Sequence, residues 1–311
     1  MKIGIIGAAG IIGAATAFCI GEKQLADTIA MIDLPGDALN SHASDLSTGV
    51  SGAGIKVVSG GLELLEGVSL VVMAAAVPLK KVSSRLEMLS ANLSLTAEIA
   101  RSIRRYCPDA ILIQVTNPIE PLSYATFHLA GIKREKIIGY TINDTFRFRM
   151  LLADSLKTDA SCVEAFVIGE HGNTQVPVFS NVKVDGRPVE VSNEIKQQIV
   201  SKIPEIFKEL EYYREKTGRT TAWTSAIGIA DIIRAIVTDA KEIFPCSTIL
   251  QGEYGVADIC MGVPAVIGAG GIERILELRL SPEEEKAFDH SAETIRKATA
   301  KAMEMLPEDG P

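Results

Sequence analysis

Histidine is rare in this sequence: only four occur in 311 residues, and one of them, His171, stands in AFVIGEHGNTQVP (165–177), where an apolar run opens into a polar loop. Imidazole titrates near neutral pH, so a histidine at a strand end can serve as a general acid or base. A histidine in such a place is also commonly a hydrogen-bonded structural residue. The catalytic interpretation therefore requires partners elsewhere in the chain.

Candidate partners occur in INDTFRFR (142–149), where Asp144 and Arg147 are three residues apart on a predicted helix and share one face. An aspartate can hold a histidine by a hydrogen bond, and an arginine fork can bind a carboxylate. A surface ion pair is the alternative interpretation of the two. Arg85, which follows the apolar run 69–76, is either a second cation of the site or a solvated charge.

A glycine-rich turn follows the first apolar run: GAAGIIG carries three glycines spaced three apart, and the next run ends in an acid twenty residues after the third glycine. Such a turn lets a pyrophosphate approach the amide-rich start of a helix, while the acid accepts hydrogen bonds from a ribose diol and favours NAD over NADP. A sheet packed through small residues is the alternative. We predict a dinucleotide site formed by Gly7, Gly10, Ile11, Ile12, Gly13 and Asp33.

A further polar residue, Asn117, lies in VTNP (115–118) at the end of a later run. Ligands of doubly wound sheets bind outside the carboxyl ends of the strands, so Asn117 is expected near the cofactor. Asn-Pro by itself more often marks only a turn.

The elements that must position these residues are strands and helices in alternation. Continuous apolar runs are typical of sheets covered on both faces, and such runs occur at 2–7, 28–33, 55–58, 69–76, 110–117 and 136–141. Helix patterns lie between them at 12–21, 85–106 and 119–130. The alternation predicts an α/β protein whose first part, residues 1–142, is a Rossmann domain with a doubly wound parallel sheet.

The pattern changes near residue 142. A helix starts near Asn143, a hairpin is predicted through Asp185-Gly186, and long helices follow at about 192–216 and 222–240. The last helix opens on SPEE, a capping box that begins at Ser281. We predict an α+β substrate domain at 143–311.

Composition excludes several classes of function. A net charge of −8 argues against nucleic acid as the main partner. No apolar segment has the roughly 20 residues of a membrane span, and the N-terminus lacks the pattern of a signal peptide. The five cysteines are scattered, with no Cys/His cluster at metal spacing, so we expect reduced thiols, no metal and a cytoplasmic protein.

With these motifs in place, the chain resembles the lactate/malate dehydrogenase family over nearly its whole length. The resemblance is carried, in order, by GAAGIIGAA, IDL, AAAVPLKKVSSR, VTNPIEPLSY, NDTFRFR, IGEHGNTQVP, LQGEYG and GVPAVIG. It implies an NAD-dependent oxidoreductase that interconverts L-2-hydroxy acids and 2-oxo acids. It also implies a homodimer or homotetramer.

The resemblance implies a role for each matched residue. His171 is the acid–base group, Asp144 holds it, and Arg147 clamps the substrate carboxylate. Arg85 closes over the site with its loop and polarises the carbonyl, and Asn117 assists. The remaining cofactor contacts implied by the resemblance are Ala75, Asn92 and the backbone at Val115.

Departures from the family pattern bear on the substrate. Malate enzymes of the family carry an arginine six residues before the loop arginine, where this chain has Leu79, and leucine cannot pair a second carboxylate. Thr221 and Trp223 match residue types of lactate enzymes. These features favour a monocarboxylic substrate, of lactate type or another short side chain.

Other departures leave alternatives open. The phosphate loop resembles that of malate enzymes, and Lys80 or Lys81 is a possible replacement for the missing arginine, so malate dehydrogenase is the second hypothesis. The usual Leu before the helix aspartate is Asn143, which suggests a polar contact in the pocket. A silent NAD-binding protein is a remote third hypothesis, and an NAD- and metal-dependent glycosidase is disfavoured because no cysteine follows closely after Cys107.

Overall fold

The computed structural model describes residues 1–77, 85–218 and 220–306, with side chains for all of these except 85–88. Leu79, Lys80, Lys81 and the side chain of Arg85 therefore lie outside the described part of the chain. Among the helices that are described, none is long and apolar enough to cross a membrane.

The first half folds as alternating strands and helices, as the apolar runs predict. Its strands are short and largely buried, because both faces of the sheet are covered. The elements are β1 (Lys2–Ile6), α1 (Ile11–Glu22), β2 (Thr28–Ile32), α2 (Asp37–Gly49), β3 (Lys56–Gly60), β4 (Leu70–Met73), α3 (Arg85–Tyr106), β5 (Ile111–Gln114), α4 (Ile119–Ala130) and β6 (Ile137–Tyr140). Helix α2 was not predicted, because its sequence DALNSHASDLSTG is mostly polar.

These six strands form a parallel sheet in the order β6-β5-β4-β1-β2-β3. The chain moves from β1 outward to β3 and then returns to β4 on the other side of β1. The carboxyl ends of β1 and β4 therefore form the topological switch point, where ligands of doubly wound sheets bind. The predicted Rossmann arrangement is confirmed.

Two apolar layers cover the faces of this sheet. Ile3 and Ile5 of β1 pack on one side with residues of α1 and of α7 (Trp223–Val237), a helix of the second half. Ile6 packs on the other side with Ile99 and Ile103 of α3. Because successive strand residues point to opposite faces, the isoleucines of one short strand serve both layers.

The second half mixes helices with antiparallel strands. Its elements are α5 (Ile142–Leu156), β7 (Val163–Ile168), β8 (Val176–Val184), β9 (Arg187–Pro188), α6 (Asn193–Thr217), α7 (Trp223–Val237), β10 (Glu242–Gln251), β11 (Ala257–Gly268), β12 (Gly271–Ile275) and α8 (Pro282–Met305). Asp185 and Gly186 both have positive φ, 49° and 73°, in the predicted hairpin turn. The capping box at Ser281 and Glu284 is also present.

Strands β10, β11 and β12 were not predicted, and they extend the parallel sheet on the β6 side. β10 pairs antiparallel with β6, and the order β12-β11-β10-β6 completes a nine-stranded sheet. Prolines stand in both long strands, with Pro245 opposite Pro264, and proline weakens a strand pattern. Strands β7, β8 and β9 form a separate antiparallel sheet.

Five of the six strands predicted in the first half run one to three residues beyond their observed carboxyl ends. Gly7, Asp33 and residues 74–76 and 115–117 leave the sheet there and enter loops. Half of the ten predicted cofactor contacts lie among these residues, namely Gly7, Asp33, Ala75, Val115 and Asn117. The predicted strands are too long there because some of these loop residues, Ala74, Ala75 and Val115, are apolar and still pack against the core.

Candidate functional site

The glycine turn after β1 is shaped so tightly that two of its positions exclude a side chain. Gly7 has φ +91°, and a Cβ there would lie 2.5 Å from the backbone nitrogen of Ala75 at the end of β4. A Cβ on Gly13 would overlap the carbonyl oxygen of Gly7. The turn therefore brings α1 directly onto the carboxyl end of β1.

Helix α1 presents its amino end at this turn. The Gly10 amide donates to the Gly7 carbonyl over 3.0 Å, and the first helical hydrogen bond runs from Ala14 to Gly10 over 2.9 Å. The amides of Ile11, Ile12 and Gly13 precede that bond and have no acceptor within the helix. Gly10 and Ile11 are exposed, so this positive helix end is accessible to a phosphate group.

Asp33 lies beside the turn at the end of β2. One carboxylate oxygen accepts from the Ala9 amide over 2.8 Å and the other accepts from the Leu34 amide over 2.8 Å. These bonds fix the orientation of a half-buried carboxylate, and its remaining lone pairs suit a ribose diol. The glycine turn, the helix end and this acid together fit a dinucleotide such as NAD.

Asn92 of α3 connects the two loops that follow β4 and β5. Its side-chain oxygen accepts from the Val77 amide and its side-chain nitrogen donates to the Asn117 carbonyl, both over 2.8 Å. Asn92 is only 3% exposed. The Val115 amide donates to the Met73 carbonyl over 2.9 Å. Asn92 and Val115 thus support the loops of the site through protein contacts, while the side chain of Asn117 is exposed at its edge.

The predicted acid–base residues meet at the far end of the same sheet edge. His171 Nδ1 lies 2.6 Å from Asp144 Oδ2, and Arg147 Nη1 donates to Asp144 Oδ1 over 3.0 Å. Asp144 is 3% exposed, whereas the side chains of His171 and Arg147 are 19% and 23% exposed. A buried carboxylate therefore holds a histidine and an arginine that both remain accessible.

The charge on His171 is set by competing effects. Burial favours the neutral imidazole, but the charge and hydrogen bond of Asp144 and the charge of Glu120 outweigh it, against a smaller opposing effect of Arg147, and the pKa of His171 rises from 6.5 to about 9. The contact with Asp144 occupies Nδ1. Nε2 is therefore the nitrogen that can exchange a proton with a ligand.

Glu120 is part of this arrangement and was not predicted. It lies in the first turn of α4, is 2% exposed, and its Oε1 accepts from the His171 backbone amide over 2.9 Å and from the Ser247 hydroxyl over 2.9 Å. One signal was present in the sequence: Glu120 is the only acid in the apolar helix IEPLSYATFHLA. Ser247, on an unpredicted strand, gave no signal.

Asn143 uses both ends of its side chain within the protein. Its oxygen accepts from the Tyr140 hydroxyl over 2.8 Å, and its nitrogen donates to the Ser225 hydroxyl over 3.0 Å. Tyr140 and Ser225 are buried. The suggested polar contact of Asn143 is thus made to β6 and α7, which ties the start of α5 to the start of α7.

The remaining predicted substrate residues are not joined to this group by any described contact. Thr221 is exposed just before α7, and Trp223 at its start is 72% exposed. Arg85 begins α3. Leu79 lies outside the described residues, so its predicted role stays a prediction.

Comparisons with known proteins agree with this geometry. Residues 1–139 match the family described as lactate/malate dehydrogenase, NAD binding domain, and residues 141–306 match the lactate/malate dehydrogenase, alpha/beta C-terminal domain. Malate dehydrogenase from Natronomonas pharaonis is 33% identical over 94% of this chain and 97% of its own. L-lactate dehydrogenase 1 from Clostridium acetobutylicum is 31% identical over 96% and 97%.

A solved structure resembles the whole chain. Lactate dehydrogenase from Cryptosporidium parvum, determined with lactic acid and β-nicotinamide adenine dinucleotide, superposes with a TM-score of 0.89 at 30% identity, covering 98% of each chain.

Proposed function

The chain belongs to the lactate/malate dehydrogenase family, and from that premise we propose that it interconverts a small monocarboxylic L-2-hydroxy acid and its 2-oxo acid. It is an NAD-dependent 2-hydroxy acid dehydrogenase. The observation that carries the proposal is the shared carboxylate of Asp144, which lies 2.6 Å from His171 Nδ1 and 3.0 Å from Arg147 Nη1. A proton donor and a carboxylate clamp are thereby held by one buried group.

The proton step follows from this geometry. NAD, when bound, supplies the chemistry of accepting or donating a hydride at the substrate carbon. His171 donates its Nε2 proton to the carbonyl oxygen in reduction and takes the hydroxyl proton in oxidation. Because Asp144 fixes Nδ1 and stabilises the imidazolium, the charged donor is present at neutral pH.

Arg147 is proposed to bind the substrate carboxylate. Its guanidinium is held by Asp144 and stacks on Phe207, with Cζ 5.4 Å from the ring centroid. One Nη1 hydrogen bond leaves the other N–H donors of the fork for a carboxylate. Arg85 is proposed to polarise the carbonyl, with Asn117 assisting, and Thr221 and Leu79 to line the side-chain end of the pocket.

The cofactor is proposed to lie along the sheet edge from α1 to α3. The amides of the glycine turn hold its pyrophosphate and Asp33 its adenosine ribose. Ala75, Asn92 and Val115 support the nicotinamide end. The full proposed set is Gly7, Gly10, Ile11, Ile12, Gly13, Asp33, Ala75, Asn92, Val115 and Asn117.

The proposed preference for substrates with a single carboxylate rests on Leu79. A leucine leaves a second substrate carboxylate without a partner, which is costly in a closed site. The test is Leu79→Arg, with Leu79→Met as the matched control. We expect the arginine variant to raise the ratio of kcat/KM for oxaloacetate to that for pyruvate and the methionine variant to leave it unchanged. An unchanged ratio in both variants would remove the basis of this preference.

Malate dehydrogenase is the second candidate. The 33% identical relative from Natronomonas pharaonis is a malate dehydrogenase, and Lys80 or Lys81 offers a cation near Leu79. Replacing both lysines by Gln separates the two candidate functions. Loss of oxaloacetate turnover with pyruvate turnover unchanged would favour a malate dehydrogenase. A silent NAD-binding protein is disfavoured, because binding a dinucleotide does not require the contacts among His171, Asp144 and Arg147.

We also propose that the chain forms a homodimer or homotetramer, because three helices that pack together carry exposed apolar side chains. Phe18 of α1 is 60% exposed, Met150 of α5 64%, and Trp223 and Ile227 of α7 72% and 50%. A second copy of the chain would cover this face. Phe18→Glu is expected to lower the mass measured by light scattering, whereas Val200→Glu on α6 should not.

Two smaller inferences complete the proposal. The chain is divided near residue 142 into an NAD-binding domain at 1–142 and a substrate domain at 143–311, although β10 continues the sheet beside β6. The five cysteines are free thiols, which supports a cytoplasmic location.

A further inference from the structure

Glu120 is a buried acid whose role is not explained by the acid–base pair. It stands in the first turn of α4, is 2% exposed, and its Oε1 accepts from the backbone amide of His171 over 2.9 Å. The hydroxyl of Ser247 on β10 donates to the same oxygen over 2.9 Å. The carboxylate therefore connects α4 and β10 to the loop that carries the histidine.

The charges that act on His171 come from two helices, α5 and α4. Asp144 and Arg147 face it from α5, and Glu120 faces it from α4. Glu170, on the histidine's own loop, is bonded to the amide and hydroxyl of Thr174 instead. Burial raises the pKa of Glu120 above its usual value, and the charge of His171, the largest opposing effect, offsets this only in part; the imidazole is thus the charged partner of this buried acid.

A neighbouring thiol is affected by the same acid. Cys260 on β11 is fully buried, and its pKa is raised well above 9.0, first by burial and then by the charge of Glu120. The thiol therefore stays neutral and adds no charge beside Glu120. The ionisation of Glu120 is consequently linked mainly to that of His171.

We propose that Glu120 is a positioning residue for the reaction: its carboxylate anchors the backbone of His171 so that Nδ1 meets Asp144, and its charge stabilises the imidazolium that donates the proton. The inference rests on the proposed function of His171. A buried carboxylate without a charged partner is unfavourable, and an imidazolium within reach supplies one. Glu120 acts through His171 and needs no contact with substrate.

A purely structural role makes a different prediction. If Glu120 were only a hydrogen-bond acceptor, a glutamine could keep the bonds to His171 and Ser247 through its side-chain oxygen. Removing the charge would then leave the titration of His171 unchanged. Glu120→Gln therefore separates the two roles while nearly preserving the shape of the side chain.

The matched control is Glu284, another buried acid, which accepts from the Phe179 and Ser180 amides away from the histidine. The measurement is an NMR titration of 13C-labelled histidine in the substrate-free protein, with the His171 signal assigned by its loss in His171→Gln. We expect the pKa of His171 to fall by about one pH unit in Glu120→Gln and to stay constant in Glu284→Gln. No fall in Glu120→Gln, or an equal fall in both variants, would overturn the proposal.

A reciprocal measurement does not depend on the folding of Glu120→Gln. His171→Gln keeps the backbone amide that Glu120 accepts from, but it removes the imidazolium. Because coupling is mutual, the pKa of Glu120, followed by the infrared carboxyl band, is expected to rise in His171→Gln. An unchanged carboxyl titration would contradict the proposal. Neither experiment uses substrate, so failure of the proposed enzyme activity would be recognised separately.

Discussion

Replacing Asp144 by Asn tests whether this carboxylate keeps His171 charged. In the intact site the pKa of His171 is raised from 6.5 to about 9, which corresponds to about 3 kcal/mol in favour of the imidazolium. Asparagine can still accept from Nδ1–H, but it carries no charge, while burial and Arg147 continue to favour the neutral ring. We therefore expect the pKa of His171 to return to about 6.5 or lower.

The assay is kcat/KM for 2-oxo acid reduction by NADH, measured from about pH 5 to about pH 10. The wild-type enzyme should lose activity only as the pH rises through about 9, whereas Asp144→Asn should lose it above about 6.5. At pH 8 the protonated fraction falls from about nine-tenths to about one-thirtieth, so the variant should be about 30-fold slower from protonation alone. Asp154→Asn, an exposed acid on the same helix, is the control. A variant whose profile still breaks near pH 9 would refute the reasoning.

Three further substitutions test the carboxylate clamp, the glycine turn and the charge of His171. Arg147→Lys removes the guanidinium fork that we propose binds two carboxylate oxygens of the substrate. KM for the 2-oxo acid should therefore rise about 10- to 100-fold in steady-state kinetics, and an unchanged KM would contradict this role of Arg147. Gly13→Ala places a Cβ against the Gly7 carbonyl oxygen. The affinity for NADH, measured by fluorescence, should therefore fall, and the free energy of unfolding, measured by thermal unfolding, should fall by about 1–3 kcal/mol. Gly52→Ala is the control and should change neither quantity, because a Cβ at Gly52 meets open space. The pKa of His171 is raised in the folded state, so the stabilisation that its charge provides is complete below about pH 6.5 and is lost as the pH rises through about 9. The difference in unfolding free energy between wild type and His171→Gln should therefore shrink over that pH range. A constant difference would contradict the raised pKa.

Much of the cofactor half of the site is visible in the sequence, because its residues follow strands that are local in the chain. The spacing of Gly7, Gly10 and Gly13, and the acid at the end of β2, depend only on a strand, a turn and a helix. The pairing of Asp144 with Arg147 is likewise local, since i,i+3 residues share a helix face. For these residues, short-range rules were sufficient to predict their positions in the fold.

The rest depends on contacts between distant segments, which periodicity does not report. Glu120 and His171 are fifty-one residues apart, and Ser247 lies on β10, a strand interrupted by Pro245. The partners of Asn143 were equally hidden, because Ser225 reaches it only when α7 packs beside α5. The sequence resemblance predicts His171 as the acid–base group, whereas the second carboxylate, that of Glu120, is brought to it by the tertiary fold.

The central claim, that this site uses His171 to reduce a monocarboxylic 2-oxo acid with NADH, is tested most directly on the wild-type protein. NADH oxidation should be followed with pyruvate, 2-oxobutyrate, 2-oxoisocaproate, phenylpyruvate and oxaloacetate, with His171→Gln as the control. We predict turnover that is fastest with one of the monocarboxylic acids and lost in the control. Preference for oxaloacetate would contradict the substrate assignment, and turnover that survives in His171→Gln would contradict the mechanism.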